Sequence, residues 1–327
     1  MKFFKQEDAM ILITGGLGFL GGNLGKYLLD LGHEVLLTRN RNAQVPDLLT
    51  PYVGKGLQIA PMDVTQLTTI LDAVKKHKVT SIVHGAAIFE GKGTLYQAME
   101  VNVDGCANIL EAARLMDVGR VTFVSSEGIN QGRKDTLPLK EEEFVWVRSD
   151  RYIPVTKKMA ELLCFIYKKE YRMDVVVTRP SRIYGPLYTA GRNPILRMVT
   201  AALKGGQTDL RFPDINEKES HDFVYVRDCA RGTAMIHLAQ KPKYDIYNIG
   251  LGRLHSFGDV AHTLEKIFPG VRMRLGTDVA TVTKTEYDIQ ACLDNSRIQD
   301  EFGYVPEYDL NKGLSALAAW LKDGSYL

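Results

Sequence analysis

The residues best suited to chemistry stand near the start of the chain, in Thr14-Gly15-Gly16-Leu17-Gly18-Phe19-Leu20-Gly21. The run follows a short apolar stretch, Ile11–Ile13, and opens a helical pattern. Glycines at this spacing suit a dinucleotide pyrophosphate. Gly15 permits a tight turn, Gly18 lets backbone approach the phosphates, and Gly21 lets helix and strand pack closely. The helix start adds unpaired N–H groups and the positive end of the helix dipole. Gly15, Gly18, Phe19, Leu20 and Gly21 are therefore the expected phosphate cradle. An ordinary turn uses glycine too, but the strand before and the helix after favour the nucleotide.

The end of the second apolar run decides which dinucleotide. A binder of NAD usually places Asp or Glu about 20 residues after the loop, on the ribose hydroxyls. Here the text is Leu37-Thr38-Arg39-Asn40-Arg41, with no acid. Arg39 and Arg41 either solvate a surface loop or pair with a 2′-phosphate and stack on adenine. The expectation is NADP in preference to NAD.

These residues need a scaffold, and the chain has the pattern of one. Short apolar runs recur at Ile11–Ile13, Val35–Leu37, Leu57–Ala60, Ser81–Val83, Val121–Val124 and Val175–Thr178. Between them apolar residues fall at helical spacing, as at Leu20, Leu24, Leu28 and Leu31, or Met159, Leu162 and Ile166. Such alternation predicts an α/β fold: a Rossmann-type, doubly wound parallel sheet whose strands are buried on both sides. After Pro180 the pattern becomes irregular, with loop signals at Gly185-Pro186, Gly191, Gly205-Gly206 and Phe212–Lys218. A strand is expected at Asp245–Ile249 and helices near Phe257–Ile267 and Leu310–Leu321. The expected division is a dinucleotide domain over 1–180, to which a strand near 222–250 returns. A smaller α/β substrate lobe would comprise 181–221 and 251–327 and cover the carboxyl ends of the strands, where open sheets bind ligands.

Composition removes several classes. The 327 residues are 45% hydrophobic and 24% charged, with a formal net charge of +2, which gives nucleic acid no electrostatic footing. The four cysteines, Cys106, Cys164, Cys229 and Cys292, form no CxxC pair. Free thiols in a reducing compartment, and so a cytoplasmic location, are expected. The start MKFFKQEDAM is too short and charged for a signal peptide, and no apolar run is long enough to span a membrane. The seven histidines do not cluster at metal-ligand spacing, so no metal is expected. There is no G-x-S-x-G elbow. The aromatic pairs Tyr225/Tyr247 and Phe223/Phe212 read as core rather than as platforms for bases.

The glycine run and a series of later segments resemble the extended short-chain dehydrogenase/reductase family, also called the NAD-dependent epimerase/dehydratase family. Asp63-Val64 resembles the pair that contacts adenine. Val83-His84-Gly85-Ala86-Ala87 resembles the strand-four motif lining the cofactor, with His84 structural. Val101-Asn102-Val103-Asp104-Gly105 is similar to the structural Asn segment. Val124-Ser125-Ser126 is similar to the strand-five motif, whose second serine is catalytic. Arg179-Pro180-Ser181-Arg182-Ile183-Tyr184-Gly185-Pro186 resembles the segment that passes the nicotinamide. Asp222–Asp228, Tyr247–Gly250 and Pro306–Leu310 match further signatures. The resemblance covers nearly the whole chain. It implies a two-lobed enzyme using NADP or NAD to oxidise, reduce, epimerise or dehydrate a hydroxyl or keto group of a small polar substrate, a sugar or nucleotide sugar among the options. It also implies a homodimer through helices near Ala98–Met116 and Pro154–Tyr171. The apolar stripe of the second, at Met159, Leu162, Leu163, Phe165 and Ile166, is wider than one-sided packing requires.

The family's proton chemistry rests on a Tyr and a Lys four residues apart on one helix face, beside the serine. In Tyr152-Ile153-Pro154-Val155-Thr156-Lys157-Lys158-Met159 the lysine is Lys157, and Ile153 occupies the Tyr slot. Tyr152 stands one place early. In a regular helix it would lie about 140° from Lys157. Pro154 disfavours helical geometry just before it, so a lead-in loop would free Tyr152 to reach the site. Alternatively Tyr152 is a packing residue. Glu127, after Ser126, is an acid where dehydratases of this family often carry one: either a general acid with a raised pKa or a solvated surface carboxylate. His221 stands where nucleotide-sugar enzymes of the family often have an Arg on the diphosphate. Arg182, Arg192, Arg197 or Arg211 would then supply that charge, unless they simply face solvent. Enzyme, dinucleotide-binding protein without redox turnover, and enzyme with chemistry rewired onto Glu127 all stay open. Because Ser126 and Lys157 both survive, the enzyme is favoured.

Overall fold

In the computed structural model, residues 9–39, 44–89, 91–133, 137–188, 193–210, 215–277, 289 and 291–326 are described. Arg41, Arg192, Arg211 and Phe212 lie outside them. The strands are β1 (Met10–Thr14), β2 (Glu34–Arg39), β3 (Leu57–Pro61), β4 (Val79–His84), β5 (Arg120–Val124), β6 (Val175–Pro180), β7 (Arg182–Tyr184), β8 (Gln207–Asp209), β9 (Ser220–Tyr225), β10 (Ile246–Ile249), β11 (Leu254–Ser256) and β12 (Arg272–Arg274). The helices are α1 (Phe19–Asp30), α2 (Leu67–Lys76), α3 (Leu95–Met99), α4 (Gly105–Leu115), α5 (Tyr152–Tyr171), α6 (Pro194–Lys204), α7 (Val226–Leu238), α8 (Phe257–Ile267), α9 (Ser296–Phe302) and α10 (Leu310–Asp323).

Among the described residues a seven-stranded sheet runs β3-β2-β1-β4-β5-β6-β10, with every pair parallel. The order reverses between β1 and β4, which makes that crevice the place for a ligand. Period-two alternation sends β1 side chains to both faces. Ile11 and Ile13 pack with Leu24 and Leu28 of α1 and Ala230 and Ala234 of α7. Leu12 packs on the other face with Ile70, Ile109 and Ala160 from α2, α4 and α5. The central strand β1 is therefore apolar and buried along both faces, whereas the edge strand β3 exposes Gln58 and Pro61.

The apolar strand that ends at Ile249 is the seventh strand of this sheet. A second core forms elsewhere in the C-terminal half. There α6, α8 and α10 bury Met198, Val199, Val260, Leu264, Leu314 and Leu317 against Tyr184, Phe223 and Tyr225. A small sheet, β11-β9-β7, and the pair β12-β8 belong to this part. Its entry is tied to the main sheet's helices. Asn23 Nδ2 of α1 donates to Pro186 O at 3.0 Å, and the Phe19 and Tyr188 rings stack 4.6 Å apart.

Two local features had no signal in the hydrophobic pattern. Glu100–Asp104 is a π-helical turn between α3 and α4. Its Asn102 accepts from Ile88 N at 2.8 Å and donates to Ile88 O and to Thr156 Oγ1, each at 3.0 Å. The other feature is a buried ion pair. Arg179 of β6 is held by Glu161 of α5 at 2.7 and 3.0 Å, and its remaining donor goes to Glu141 O at 2.9 Å. Removing one member of such a pair costs about 3–5 kcal/mol, so α5 is firmly pinned to the strand beside it.

Candidate active site

Thr14 closes β1, and its Oγ1 accepts from Gly85 N and Ala86 N, both at 3.1 Å. With both acceptor positions used, its proton goes to His84 Nδ1, 2.7 Å away. His84 is fully buried, and burial, with Lys157 nearby, pushes its pKa down to about 3. The neutral ring fixes the ends of the two central strands together. Directly beyond, Gly15 turns at φ +66°, a left-handed conformation that glycine adopts without strain. A Cβ at Gly21 would collide with the Gly15 carbonyl, so the first turn of α1 lies directly on the loop. No side chain caps α1 at Gly18, and its first N–H groups are left for a ligand. These observations fit the pyrophosphate of a dinucleotide.

A cavity of about 440 Å³ opens from this loop across the carboxyl ends of β1, β4, β5 and β6. Gly15, Gly18, Phe19, Leu20 and Gly21 line one end, with Ala86, Ala87 and Pro180 along the wall. Ser126, Glu127 and Lys157 line it too, so the structure brings these candidates together. Arg39, Asp63 and Val64 are not among its lining residues. They stand at the ends of β2 and just beyond β3: Arg39 is exposed, Asp63 accepts from Thr65 N at 2.9 Å, and Val64 is buried against Gly105.

Tyr152 does not reach the cavity. Helix α5 begins at Tyr152, after Arg151 in an extended conformation, so Pro154 lies inside the first turn, where a missing N–H costs nothing. The expected lead-in loop is absent, and Tyr152 has helical geometry. Its hydroxyl turns away to donate to the carbonyls of Phe89 at 2.8 Å and Gly93 at 3.2 Å. Ile153 takes the place facing the cavity, with Pro154 and Lys157 beside it.

Lys157 is 5% exposed, donates to Val124 O at 2.6 Å and lies 4.6 Å from the Phe123 ring centre. Burial lowers its pKa to about 8. Ser126 stands two residues after β5 and caps a 3-10 turn, Glu127–Asn130, its Oγ accepting from Gly128 N at 3.0 Å. The hydroxyl proton stays available to a ligand oxygen. Glu127 follows, half-buried at the cavity wall. Burial raises its pKa to about 8, with Asp222 pushing the same way, against the Arg182 charge and backbone N–H. Near pH 7 it is a neutral acid. Glu127 is thus no surface carboxylate.

Arg182 and His221 both line the cavity, whereas Arg197 on α6 does not. Tyr188, Gln131 and Arg151 also line it and carried no sequence signal. They come from segments outside the regular repeat, where period says nothing about direction. Among the described residues, no His/Cys/Asp/Glu group could hold a metal ion, and no helix is long and apolar enough to cross a membrane.

The family model described as "NAD dependent epimerase/dehydratase family" matches residues 11–250. A putative UDP-glucose 4-epimerase of Methanocaldococcus jannaschii is 24% identical over 325 residues, covering 97% of this chain and 99% of the relative. A UDP-glucuronate 4-epimerase of Thermodesulfobacterium geofontis is 27% identical over 328 residues, covering 95% and 96%. The crystal structure of dTDP-glucose 4,6-dehydratase from Bacillus anthracis in complex with NAD superposes with a TM-score of 0.79. It is 21% identical, with 97% of each chain covered, and supports the same fold.

The two candidate proton carriers, Glu127 and Tyr152, separate by readout. Glu127→Gln is expected to lower turnover by about 10²–10⁴-fold and to remove the fall of kcat below about pH 8 that comes from needing an ionised Glu127 to take the hydroxyl proton, with dinucleotide affinity kept. Tyr152→Phe should leave kcat within a few-fold. If Tyr152→Phe carries the large loss in steady-state kinetics, the proton does not pass through Glu127.

Proposed function

The chain belongs to the NAD dependent epimerase/dehydratase family, and from that premise we propose that it oxidises and reduces a hydroxyl carbon of a nucleotide sugar, in an epimerisation or dehydration, with Glu127 as its proton carrier. The observation behind this reading is the placing of the glycine loop, Ser126, Glu127 and Lys157 around one cavity. A bound nicotinamide dinucleotide supplies hydride exchange. The chain's own groups do the rest. Ser126 Oγ–H orients the substrate oxygen. Glu127 gives its proton to that oxygen when a keto group is reduced and, ionised, takes it back when a hydroxyl is oxidised. Lys157, anchored on Val124 O, presents its charge to the nicotinamide ribose. Residues 1–180 with β10 act as the dinucleotide domain, and 181–221 with 251–327 as the substrate lobe.

A second reading, dinucleotide binding without turnover, is favoured by one feature: Ile153 at the Tyr slot cannot move a proton. Incubation with NAD or NADP and UDP- or dTDP-hexoses, followed by proton NMR of the sugar, separates the two. New anomeric or 6-deoxy signals support the enzyme. Tight dinucleotide binding with no product from any hexose supports the alternative, and activity gained only in Ile153→Tyr would identify the missing group.

For the dinucleotide we propose NADP over NAD, because Arg39 ends β2 where an NAD binder carries an acid. Arg39→Asp should reverse the preference in a fluorescence titration. Tighter binding of NAD by the parent protein would remove the proposal.

We further propose a two-fold dimer through α4 and α5. On α5, Leu163 and Phe165 turn toward the sheet's core, whereas Met159, Leu162 and Ile166 are 36%, 65% and 53% exposed at helical spacing. A partner copy presenting the same stripe would bury them. Light scattering at roughly micromolar concentration, in the range of stable association, should give twice the chain mass, and Leu162→Glu with Ile166→Glu the single mass. A monomeric parent would end this assignment.

A further inference from the structure

The cavity carries more positive charge than a neutral sugar ring needs. Arg151, Lys157 and Arg182 line it, and among the described lining residues Glu127 is the carboxylic acid. Lys157 is engaged with Val124 O and the Phe123 ring. Arg151 lies at the rim, 4.0 Å from Asp150. Arg182 is different. It opens β7, and its pairing with Phe223 sets it on the side of the small sheet that also carries His221 toward the cavity. It is half-buried, its backbone N–H meets the Glu127 carboxyl, and its charge is felt by Glu127 and Tyr188 alike. Arg182 therefore lies on the stretch of cavity wall that Glu127 also lines.

Glu127 apart, no carboxylate of the described residues is placed to neutralise it. Asp222, the next acid, points to the other side of β9. Its oxygens are taken by Leu251 N at 2.8 Å, Gly252 N at 3.2 Å, Leu293 N at 3.0 Å and Ser181 Oγ at 3.3 Å. Burial favours the neutral form of Glu127 against the Arg182 charge, which leaves Arg182 less compensated than beside an exposed carboxylate. A planar guanidinium fork of this kind matches a carboxylate in two parallel hydrogen bonds.

We propose that Arg182 binds a carboxylate on the sugar ring itself, so that the substrate is an acidic, uronic-type nucleotide sugar rather than a neutral hexose. This rests on the nucleotide-sugar reading above. The diphosphate offers similar oxygens, but the Arg182 backbone N–H on the Glu127 carboxyl sets this residue with the group that the reading above makes the proton carrier.

The test uses calorimetry on the full chain saturated with dinucleotide. The probes are UDP-glucuronate and UDP-glucose, which differ by one carboxylate against one alcohol. The parent protein should bind UDP-glucuronate about 10- to 100-fold more tightly, the range of a charged hydrogen-bonded contact. Arg182→Gln should abolish that ratio while moving UDP-glucose by no more than about twofold, and Arg182→Lys, which keeps charge without the fork, should retain part of it. Equal affinities in the parent protein overturn the proposal whatever the variants do. Equal losses for both probes in Arg182→Gln overturn it as well, and put Arg182 on the diphosphate. Binding of neither probe, with dinucleotide binding intact, overturns the nucleotide-sugar reading together with this one.

Discussion

The junction of β1 and β4 at Thr14 is the constraint on which the site depends. Thr14 Oγ1 takes two backbone N–H groups from the start of the neighbouring loop and gives its proton to His84. These bonds lie at the point where strand order reverses, and they hold open the crevice that the reversal creates. A charged imidazole there would break the arrangement, since Nδ1 could no longer accept. Burial keeps the ring neutral, and Lys157 reinforces it. The same lysine thus serves the ligand side and the scaffold side of one wall.

From that junction the cavity grows by close approach. The turn at Gly15, the contact of Gly21 with it, and the stacking of Phe19 on Tyr188 bring the two cores within reach of one ligand. Arg179 with Glu161 performs the corresponding task on the far side, where it clamps α5 and hence Lys157. A buried pair of this sort adds little net stability but is costly to break, which favours one geometry over its neighbours.

Much of this was legible in the sequence, because periodicity encodes burial. Apolar runs at β1 to β6 marked the parallel sheet, and the glycines between β1 and α1 marked one end of the cavity. What could not be read has physical reasons. The direction of Tyr152 hung on whether Pro154 ended the lead-in loop or entered the first helical turn, and proline accepts either place. The state of Glu127 depended on how much protein closes over it, which spacing does not record. Tyr188, Gln131 and Arg151 reach the cavity from loops and turns, where neither period applies. The π-helical turn at Glu100–Asp104 left no mark in the hydrophobic pattern, although the resemblance singled out its Asn102, whose partners are the Ile88 backbone and Thr156.

The two departures at the centre are physically connected. A tyrosine at the position of Ile153 would bring a phenol to the cavity wall and a polar partner to the groups across it. Ile153, Pro154, Ile183 and Ile289 instead make that wall apolar. Fewer polar partners mean a larger penalty for ionising Glu127, and its pKa rises accordingly. If Glu127 carries the proton as proposed, the apolar residue in the Tyr slot leaves the cavity wall suited to a carboxylic acid with a raised pKa. Meanwhile the phenol one residue earlier is spent on the backbone of Phe89 and Gly93, tying the loop after β4 to the start of α5. On the function proposed above, proton chemistry would move from the helix to the segment after β5, while Lys157 keeps its place on the helix.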